Sequence, residues 1–399
     1  MHTTATTRAA WALMLSAAAI LAITMGSRQS VGLFVAPLNT ATGLGIVTIS
    51  FALAVGQFVW GLAQPVFGAV ADKKGSFGVL VFGALLLAGG LAAAPFATAE
   101  WSVIVTMGIV SAAGAGAGSF SILIGATARQ LPPDRRAFAG GFINAGGSFG
   151  QFVFAPLVQA IISGFGWVAA MFAMAATTLL TIPLAALLGG GRPADAPAAA
   201  LPGGLLQQVR RALADRSYLC LHAGFFTCGF HVAFLVTHLP GEVALCGHAA
   251  SVSAASLSLI GLFNIGGSLF AGWLGTRCRM KYILAVMYGS RAAMIAVYLL
   301  APKTALTFYI FAAALGFTWL ATVPPTAGLV GKLFGTQYLA TLFGLTLLTH
   351  QVGGFLGAWL GGLAMDHAGS YLWMWYADIA LAAAAALVNL PIREEKPVG

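Results

Sequence analysis

Long apolar runs separated by short polar stretches are the dominant pattern along this 399-residue chain. A helix that crosses a bilayer needs about 20 mostly apolar residues, whereas a membrane β-barrel shows alternating strands of about ten. Twelve runs are long and continuous enough for helices. The pattern predicts an all-α membrane protein with spans 1 to 12 near residues 10–37, 45–71, 77–97, 102–128, 138–162, 167–188, 217–239, 251–275, 282–300, 305–330, 339–364 and 371–391.

Composition and charge fit this architecture. The chain is 59% hydrophobic and 7% charged, whereas soluble domains carry about 25% charged residues. With twelve spans, every Lys and Arg outside the spans except Lys303 falls on the side that holds both termini. By the positive-inside rule we expect a multi-pass protein of the cytoplasmic (inner) membrane with both termini cytoplasmic. The net charge of +9 therefore needs no nucleic-acid partner.

The stretch GGGRPADAPAAALPGG separates six spans from six. Its content of Gly, Pro and Ala predicts a flexible linker. We therefore expect an N-terminal six-helix bundle over 1–190, a cytoplasmic linker over 191–216 and a C-terminal six-helix bundle over 217–399.

The two halves repeat one another. Residues 26–37 correspond to 229–240, and 146–152 to 353–359, at a nearly constant offset. Parallel repeats of six spans are typical of transporters, with the substrate site at the interface of the halves.

The stretch GAVADKKG, from Gly68 to Gly75, corresponds in the repeat to GWLGTRCR at 272–279. It resembles the loop between spans 2 and 3 of the major facilitator superfamily. The resemblance implies a conformational latch, in which Asp72 lies near a neighbouring helix N-terminus and Lys73 is fixed beside it. Thr276 and Arg277 stand at the Asp and Lys positions of the second copy. The alternative is that these charges only set the topology. The residues of the expected latch are Gly68, Asp72, Lys73, Gly75 and Arg277.

A narrower similarity is to the oxalate/formate and monocarboxylate carrier group. RRAFAGGFINAGGSFGQFVFAPL (135–157) looks like its span 5, FGTQYLATLFGLTLLTHQ (334–351) like its span 11, and MGSRQSVGLFVAPL (25–38) shares the Gly and Pro frame of its span 1. The group carries a substrate-binding arginine in span 8, and Ser268 takes that position here.

Arg28 is a charge inside span 1, where insertion costs roughly 2.5–3.5 kcal/mol. We expect it to bind a carboxylate through its planar, two-pronged donor geometry, in place of the missing arginine of span 8. The alternatives are a backbone carbonyl partner or snorkelling. Gln29 is a second candidate. His231 of span 7 stands opposite Arg28 by the repeat, and we expect it to bind substrate or carry protons unless it is structural.

Further candidates for substrate binding lie in spans 5, 8, 10 and 11. His350 falls where the resemblance implies a cationic ligand, and Gln351 is the repeat partner of Asn144. The alternative is hydrogen bonding or packing between helices. In span 10, Pro324 and Pro325 break the hydrogen-bond ladder and either serve gating or shape the helix. The candidates are Asn144, Asn264, Trp319, His350 and Gln351.

Arg291 of span 9 and Asp378 of span 12 lie on helices expected at the outside of the bundle. Counting about 1.5 Å per residue from the helix ends places them at similar depth. We therefore expect a structural ion pair between these two residues.

These observations favour a secondary active transporter that moves a small organic anion, such as a mono- or dicarboxylate, by alternating access with proton coupling or exchange. The alternative is an exporter of drugs or of neutral or cationic metabolites, which usually needs a carboxylate in the cavity. We expect no metal site, since the four cysteines form no CxxC pair. We also expect no enzyme activity and no cofactor, since the sequence has no nucleophile–base spacing and no nucleotide-binding motif. The expected partners are an anionic substrate, protons and the bilayer, and the expected state is a monomer.

Overall fold

A computed structural model describes residues 2–44, 46–189 and 204–394. Its regular elements are helical, and these three ranges contain no strand. Within these ranges twelve helices are long and apolar enough to cross a membrane, which agrees with the predicted all-α fold of two six-helix bundles. The spans run over Arg8–Gln29, Phe51–Lys74, Ser76–Phe96, Glu100–Gln130, Pro133–Phe165, Trp167–Leu188, Arg216–Leu239, Ala255–Leu274, Met280–Leu300, Ala305–Phe334, Leu339–Met365 and Leu372–Asn389.

The first bundle holds spans 1 to 6. Its α-helices include His2–Gln29, Val35–Thr42, Ile46–Lys74, Ser76–Ala93, Glu100–Val103, Ser111–Ala117, Phe120–Gln130, Pro133–Phe165, Trp167–Leu179 and Thr181–Gly189, with 3-10 turns at Val31–Phe34 and Ala94–Phe96 and a π-helical segment at Ile104–Val110.

The sequence predicts that span 1 continues to residue 37, but the structure does not contain one continuous helix over this range. The α-helix ends at Gln29, and a 3-10 turn follows. The Ser30 hydroxyl donates to the Gly26 carbonyl at 2.8 Å, and such local bonds compete with helix propagation. Gly32 in the following turn also has a low helix propensity. Arg28 consequently stands in the last helical turn, where a cation interacts favourably with the helix dipole.

The second bundle holds spans 7 to 12, and its α-helices include Arg216–Leu245, Ala250–Leu274, Met280–Leu300, Ala305–Thr318, Val323–Phe334, Leu339–Ala368 and Leu372–Asn389. Span 10 is interrupted between Thr318 and Val323, one turn before Pro324 and Pro325. Proline has no N–H to offer the carbonyl four residues earlier, so the carbonyls of Leu320 and Ala321 lose their helical donors.

The predicted linker over 191–216 is in part helical. Residues 190–203 lie outside the described part of the chain, but Leu205–Leu213 forms a helix next to span 7. Gln208 and Ala212 are its buried residues, so this helix packs against the protein through one face.

The two bundles meet through span 2 against span 11 and span 5 against span 8. Small residues allow these helices to approach closely. A Cβ atom at Gly68 would lie 2.6 Å from the Ala340 carbonyl oxygen, and one at Gly141 would lie 2.5 Å from that of Ser268. These contacts lie towards the side of the membrane that holds Arg8 and the chain end near 394, called here the terminal side.

Candidate substrate-binding site

Arg28 lines a cavity of about 220 Å³ in the first bundle. Among the described residues that line it, Arg28 alone carries a charge. Its lining combines a few polar side chains with apolar ones, as is common for sites that bind small molecules. The other lining residues are Gln29, Val31, Leu53, Gly56, Gln57, Leu87, Leu91, Met107, Ser111, Ala112 and Ala115.

The guanidinium of Arg28 has neutral partners. It donates to the Gln57 side-chain oxygen and, at 3.5 Å, to that of Gln29. Its central carbon lies 4.1 Å from the centroid of the Trp60 ring. A cation–π contact of this kind stabilises by about 0.5–2 kcal/mol. In the described ranges no carboxylate pairs with Arg28. None of these observed partners is a backbone carbonyl.

The sequence analysis did not single out Gln57, Trp60 or Ser111. Gln57 interrupts the apolar stretch FALAVGQFVW, and a polar residue inside a span is itself a signal. Trp60 follows three residues later, so both lie on the helix face that meets Arg28.

His231 does not share the cavity of Arg28. Its side chain is 1% exposed, and its Nδ1 atom lies 2.5 Å from the Asp378 Oδ2 atom, which is fully buried. The internal repeat predicted that His231 faces the same cavity as Arg28. Its side chain instead points towards Asp378 of span 12.

The predicted ion pair between Arg291 and Asp378 is therefore wrong. Arg291 donates to the carbonyls of Thr318 and Trp319, and its Nη1 atom lies 3.4 Å from the Cys228 sulfur. The interruption of span 10 explains this choice, because the last carbonyls of a helix lack intrahelical donors and carry partial negative charge. Asp378 therefore pairs with His231 instead of Arg291.

Asn144 and Asn264 connect the two bundles. Asn144 of span 5 donates to the Ser268 hydroxyl at 2.7 Å and to the Leu320 carbonyl at 2.9 Å. Asn264 donates to the Ser148 hydroxyl at 2.7 Å and accepts from the Leu320 N–H at 3.0 Å. Both asparagines are fully buried, which matches hydrogen bonding between helices rather than contact with a cavity.

Trp319, His350 and Gln351 are also buried. The His350 ring lies 4.9 Å from that of Phe225. A Cβ atom at Gly61 would lie 2.7 Å from that of Gln351, so Gln351 packs at the junction of spans 2 and 11. Of the eight residues expected to bind substrate, Arg28 and Gln29 line the cavity.

The expected latch is partly assembled on the terminal side. Asp72 accepts from the Thr341 N–H at 2.7 Å and from its hydroxyl at 2.6 Å, in the first turn of span 11. The other carboxylate oxygen lies 2.8 Å from the Arg129 Nη1 atom. Asp72 thus lies at a neighbouring helix N-terminus, as expected, but its basic partner is Arg129 of span 4.

The remaining latch residues have different surroundings. Gly68 lets span 2 approach Ala340, and Gly75 has φ of +93° between spans 2 and 3. Lys73 is exposed. Arg277 is also exposed and stacks on Trp273, with 4.4 Å between its guanidinium carbon and the ring centroid.

The second bundle has a carboxylate contact of its own. The Glu394 side chain lies 2.7 Å from the Lys332 ammonium and accepts from the N–H groups of Met280 and Lys281, each at 3.0 Å. Lys332 corresponds to Arg129 in the repeat, and Glu394 comes from the end of the described chain. This contact stays within one bundle.

Within the described ranges no group of three or more His, Cys, Asp or Glu side chains is placed to hold a metal ion.

Comparisons with known proteins agree with this architecture. The sequence model of the Major Facilitator Superfamily matches residues 17–358. Monocarboxylate transporter 13 of Rattus norvegicus is 27% identical over 390 residues, which cover 96% of this chain and 89% of that protein. The oxalate:formate antiporter of Oxalobacter formigenes is 25% identical over 354 residues, covering 88% of this chain and 84% of the antiporter.

Two solved structures share the fold. The proton:xylose symporter XylE, bound to 6-bromo-6-deoxy-D-glucose, superposes with a TM-score of 0.76 at 14% identity and covers 98% of this chain and 97% of its own. FucP in the outward conformation superposes with a TM-score of 0.72 at 15% identity and covers 96% and 99%, respectively.

Proposed function

Because the chain belongs to the Major Facilitator Superfamily and is a membrane transporter rather than an enzyme, we propose that it moves a small organic anion by alternating access. The proposed substrate is a mono- or dicarboxylate, and the driving force is proton coupling or anion exchange. The observation that carries the proposal is the guanidinium of Arg28, which lines a cavity and has no acidic partner in the described chain.

The contacts of Arg28 suit a carboxylate. The guanidinium fork can donate two parallel hydrogen bonds to one carboxylate, and bonds to a charged acceptor are roughly twice as strong as those to a neutral amide. A carboxylate therefore competes well with the Gln57 oxygen for Arg28. Gln29, Gln57 and Ser111 offer further polar atoms in the lining of the cavity, while Leu53 and Met107 provide apolar surface for a short hydrocarbon part.

The size of the cavity favours a small substrate. Its volume of about 220 Å³ lies below the roughly 300–1,000 Å³ of sites for drug-sized ligands. Two relatives are named for carboxylate substrates, the monocarboxylate transporter and the oxalate:formate antiporter. An exporter of lipophilic cations would need an acidic residue in the cavity, and none of the residues that line it is acidic.

The contacts between the bundles support alternating access. Spans 2 and 11 and spans 5 and 8 pack together towards the terminal side, with Asp72 bonded across to Thr341. Because basic residues concentrate on that side, we place it in the cytoplasm, in the cytoplasmic membrane. In this arrangement the bundles are closed to the cytoplasm, and substrate release inward requires these contacts to separate. We further propose that the transporter works as a monomer, which light scattering of the purified protein would test.

Thermal stabilisation of the purified protein by formate, L-lactate and oxalate tests the substrate class. A ligand at 100 times its Kd stabilises the folded state by about 2.7 kcal/mol. We expect one of these anions to raise the melting temperature of wild type and of the control Arg135→Gln, which removes an exposed charge outside the cavity, but not that of Arg28→Gln. Equal stabilisation of Arg28→Gln, or stabilisation by tetraphenylphosphonium alone, would overturn the proposal.

A further inference from the structure

The second bundle contains an acid–base pair that the anion site does not use. His231 of span 7 and Asp378 of span 12 lie inside the spans with side chains 1% and 0% exposed. The 2.5 Å between Nδ1 and Oδ2 is a hydrogen-bond distance. Histidine is the side chain whose unperturbed charge change falls in the physiological pH range.

Two atoms of this pair have no hydrogen-bond partner. They are the Nε2 atom of His231 and the Oδ1 atom of Asp378, both buried. Buried polar atoms in proteins nearly always have a partner, and exceptions concentrate where a group has a role beyond packing. The imidazole therefore keeps one nitrogen that makes no hydrogen bond, to which a proton can be added.

The proton balance of the pair is simple. With a neutral imidazole and an ionised carboxylate the pair carries one negative charge. Adding one proton forms one N–H bond, gives an imidazolium–carboxylate pair with no net charge, and breaks no covalent bond.

The other ionisable groups of this region come from three spans. Arg291 and Tyr288 lie on span 9, with 5.3 Å between the Arg291 guanidinium carbon and the Tyr288 ring centroid. Cys228, three residues before His231, lies between Arg291 and His350 of span 11. Span 8 has no ionisable side chain, and those of span 10, Tyr309 and Lys332, stand near its ends. Span 7 also carries His222, which bonds to Thr349, and His238, which bonds to the Ala358 carbonyl.

The pair touches the interruption of span 10. The His231 ring lies 5.6 Å from the Trp319 ring, and the Trp319 carbonyl accepts from Arg291. The next residue, Leu320, is bonded on its carbonyl to Asn144 of the first bundle and on its N–H to Asn264. A continuous series of contacts therefore joins the acid–base pair to the interface of the two bundles.

We propose that His231 and Asp378 form the proton-binding site of this transporter, separate from the anion cavity, and that the interruption of span 10 couples its protonation to the separation of the bundles. This inference rests on the proposed function, because it assigns the coupling ion to the same transport cycle. Asn144 holds Leu320 only while the bundles are closed on the terminal side. Their separation releases the segment beside the His231 ring, so the two conformations bind the proton with different affinity, and the coupling is reciprocal.

The first test needs no substrate. An imidazolium next to an indole quenches its fluorescence, so the emission difference between wild type and Trp319→Phe is recorded from pH 5 to pH 9. We expect quenching at acidic pH in wild type, no such titration in His231→Gln, and a displaced midpoint in Asp378→Asn. The control His238→Gln removes a histidine of the same span that bonds to a carbonyl, and it should keep the wild-type titration.

The second test uses proteoliposomes and radiolabelled L-lactate. One proton per lactate and an outside one pH unit more acidic support up to about tenfold accumulation. We expect accumulation in wild type and in His238→Gln, and none in His231→Gln, which should still exchange external for internal lactate.

The two tests distinguish failure of the proton site from failure of the proposed function. Unchanged titration and accumulation in both folded variants, His231→Gln and Asp378→Asn, would overturn the proton site, as would the lack of any titration in wild type. If wild type transports neither L-lactate, formate nor oxalate, the proposed function fails, while the fluorescence titration still decides the proton site. If His231→Gln does not give a single peak on gel filtration, the fluorescence titration and the lactate accumulation are measured on Asp378→Asn instead. Asparagine has the same shape as the native aspartate.

Discussion

The carboxylate of Asp72 in the first bundle is bonded to Thr341 in the second, at 2.7 Å to the N–H and 2.6 Å to the hydroxyl. The same side chain is paired with Arg129 and is fully buried. Asp72 thus adds to Asn144 and Asn264 a further polar link between the two bundles, which the proposed transport cycle would have to break.

Asp72→Asn is expected to weaken this junction. The amide keeps the shape of the side chain, but it loses the charge that faces Arg129 and the first turn of span 11. Hydrogen bonds to charged groups contribute about 1.5–3 kcal/mol, and we expect a loss of that order in chemical unfolding. Adding Arg129→Gln should cost little more, because the two residues share one interaction. Asp134→Asn, an exposed acid at the start of span 5, is the control; an equal loss there would contradict the assignment.

Gln57→Glu is expected to lower the affinity of the cavity for anions without lowering the stability of the protein. The new carboxylate would pair with Arg28 and neutralise it, so the cavity would no longer attract an anion. We expect more than a tenfold weaker affinity for a stabilising carboxylate, with a melting temperature no lower than that of wild type. Isothermal titration and thermal unfolding measure the two quantities. Retained affinity in Gln57→Glu would show that the anion binds elsewhere.

The orientation of the chain is open to a labelling experiment on native cysteines. Cys278, between spans 8 and 9, is exposed on the terminal side, whereas Cys246, between spans 7 and 8, is on the opposite side. If the terminal side is cytoplasmic, a membrane-impermeant maleimide should label Cys246 in intact cells and Cys278 only after the cells are opened. Single-cysteine variants distinguish the two signals, and the reverse order of labelling would invert the topology.

The labelling of Cys246 should also depend on pH. Burial and, next, Glu242 raise the pKa of this thiol, while Lys303 has the opposite effect. A raised pKa means that less thiolate is present at neutral pH, and the thiolate is the reactive form. The labelling rate should therefore keep rising above the pH at which an ordinary cysteine levels off, and Glu242→Gln should move this rise to lower pH.

Exchanging the charges of Arg291 and Asp378 should not restore a folded protein. Each single reversal would leave buried groups without their partners, namely the carbonyls of Thr318 and Trp319 or the ring of His231. The double variant Arg291→Asp/Asp378→Arg would repair neither contact, because the two side chains do not pair. Expression and gel filtration measure the result; recovery in the double variant would contradict the observed partners.

Those observed partners also mark the limit of the sequence analysis. Helix length and apolarity are properties of single segments, so the spans followed from the pattern of apolar runs, and the two bundles followed from the linker and the internal repeat. The position of Asp72 at a helix end was also predictable, because the loop that carries it resembles a known motif. The partners of Arg291, His231 and Arg28 were not, because they depend on how each helix is rotated about its axis.

Arg291 shows the difficulty most clearly. Depth along the helix made Asp378 a reasonable partner, but the interruption of span 10 exposed two carbonyls that Arg291 reaches. The prolines beside this interruption were visible in the sequence, whereas the carbonyls of Thr318 and Trp319 at the end of the preceding helix were not counted as acceptors. Gln57 and Trp60 were not predicted either, because the sequence does not show which face of span 2 meets Arg28.

The contact between Glu394 and Lys332 bears on the ancestry of the molecule. The internal repeat implies a duplicated half-chain, in which Arg129 and Lys332 descend from one basic position. Beside Arg129 the acid is still Asp72, whereas Thr276 occupies the equivalent site and a residue from the chain end supplies the carboxylate to Lys332. The two copies have thus diverged in the origin of the acid while each retains an acid next to its base. The same local charge arrangement is thus built twice in one chain, once with an acid from the loop after span 2 and once with an acid from beyond span 12.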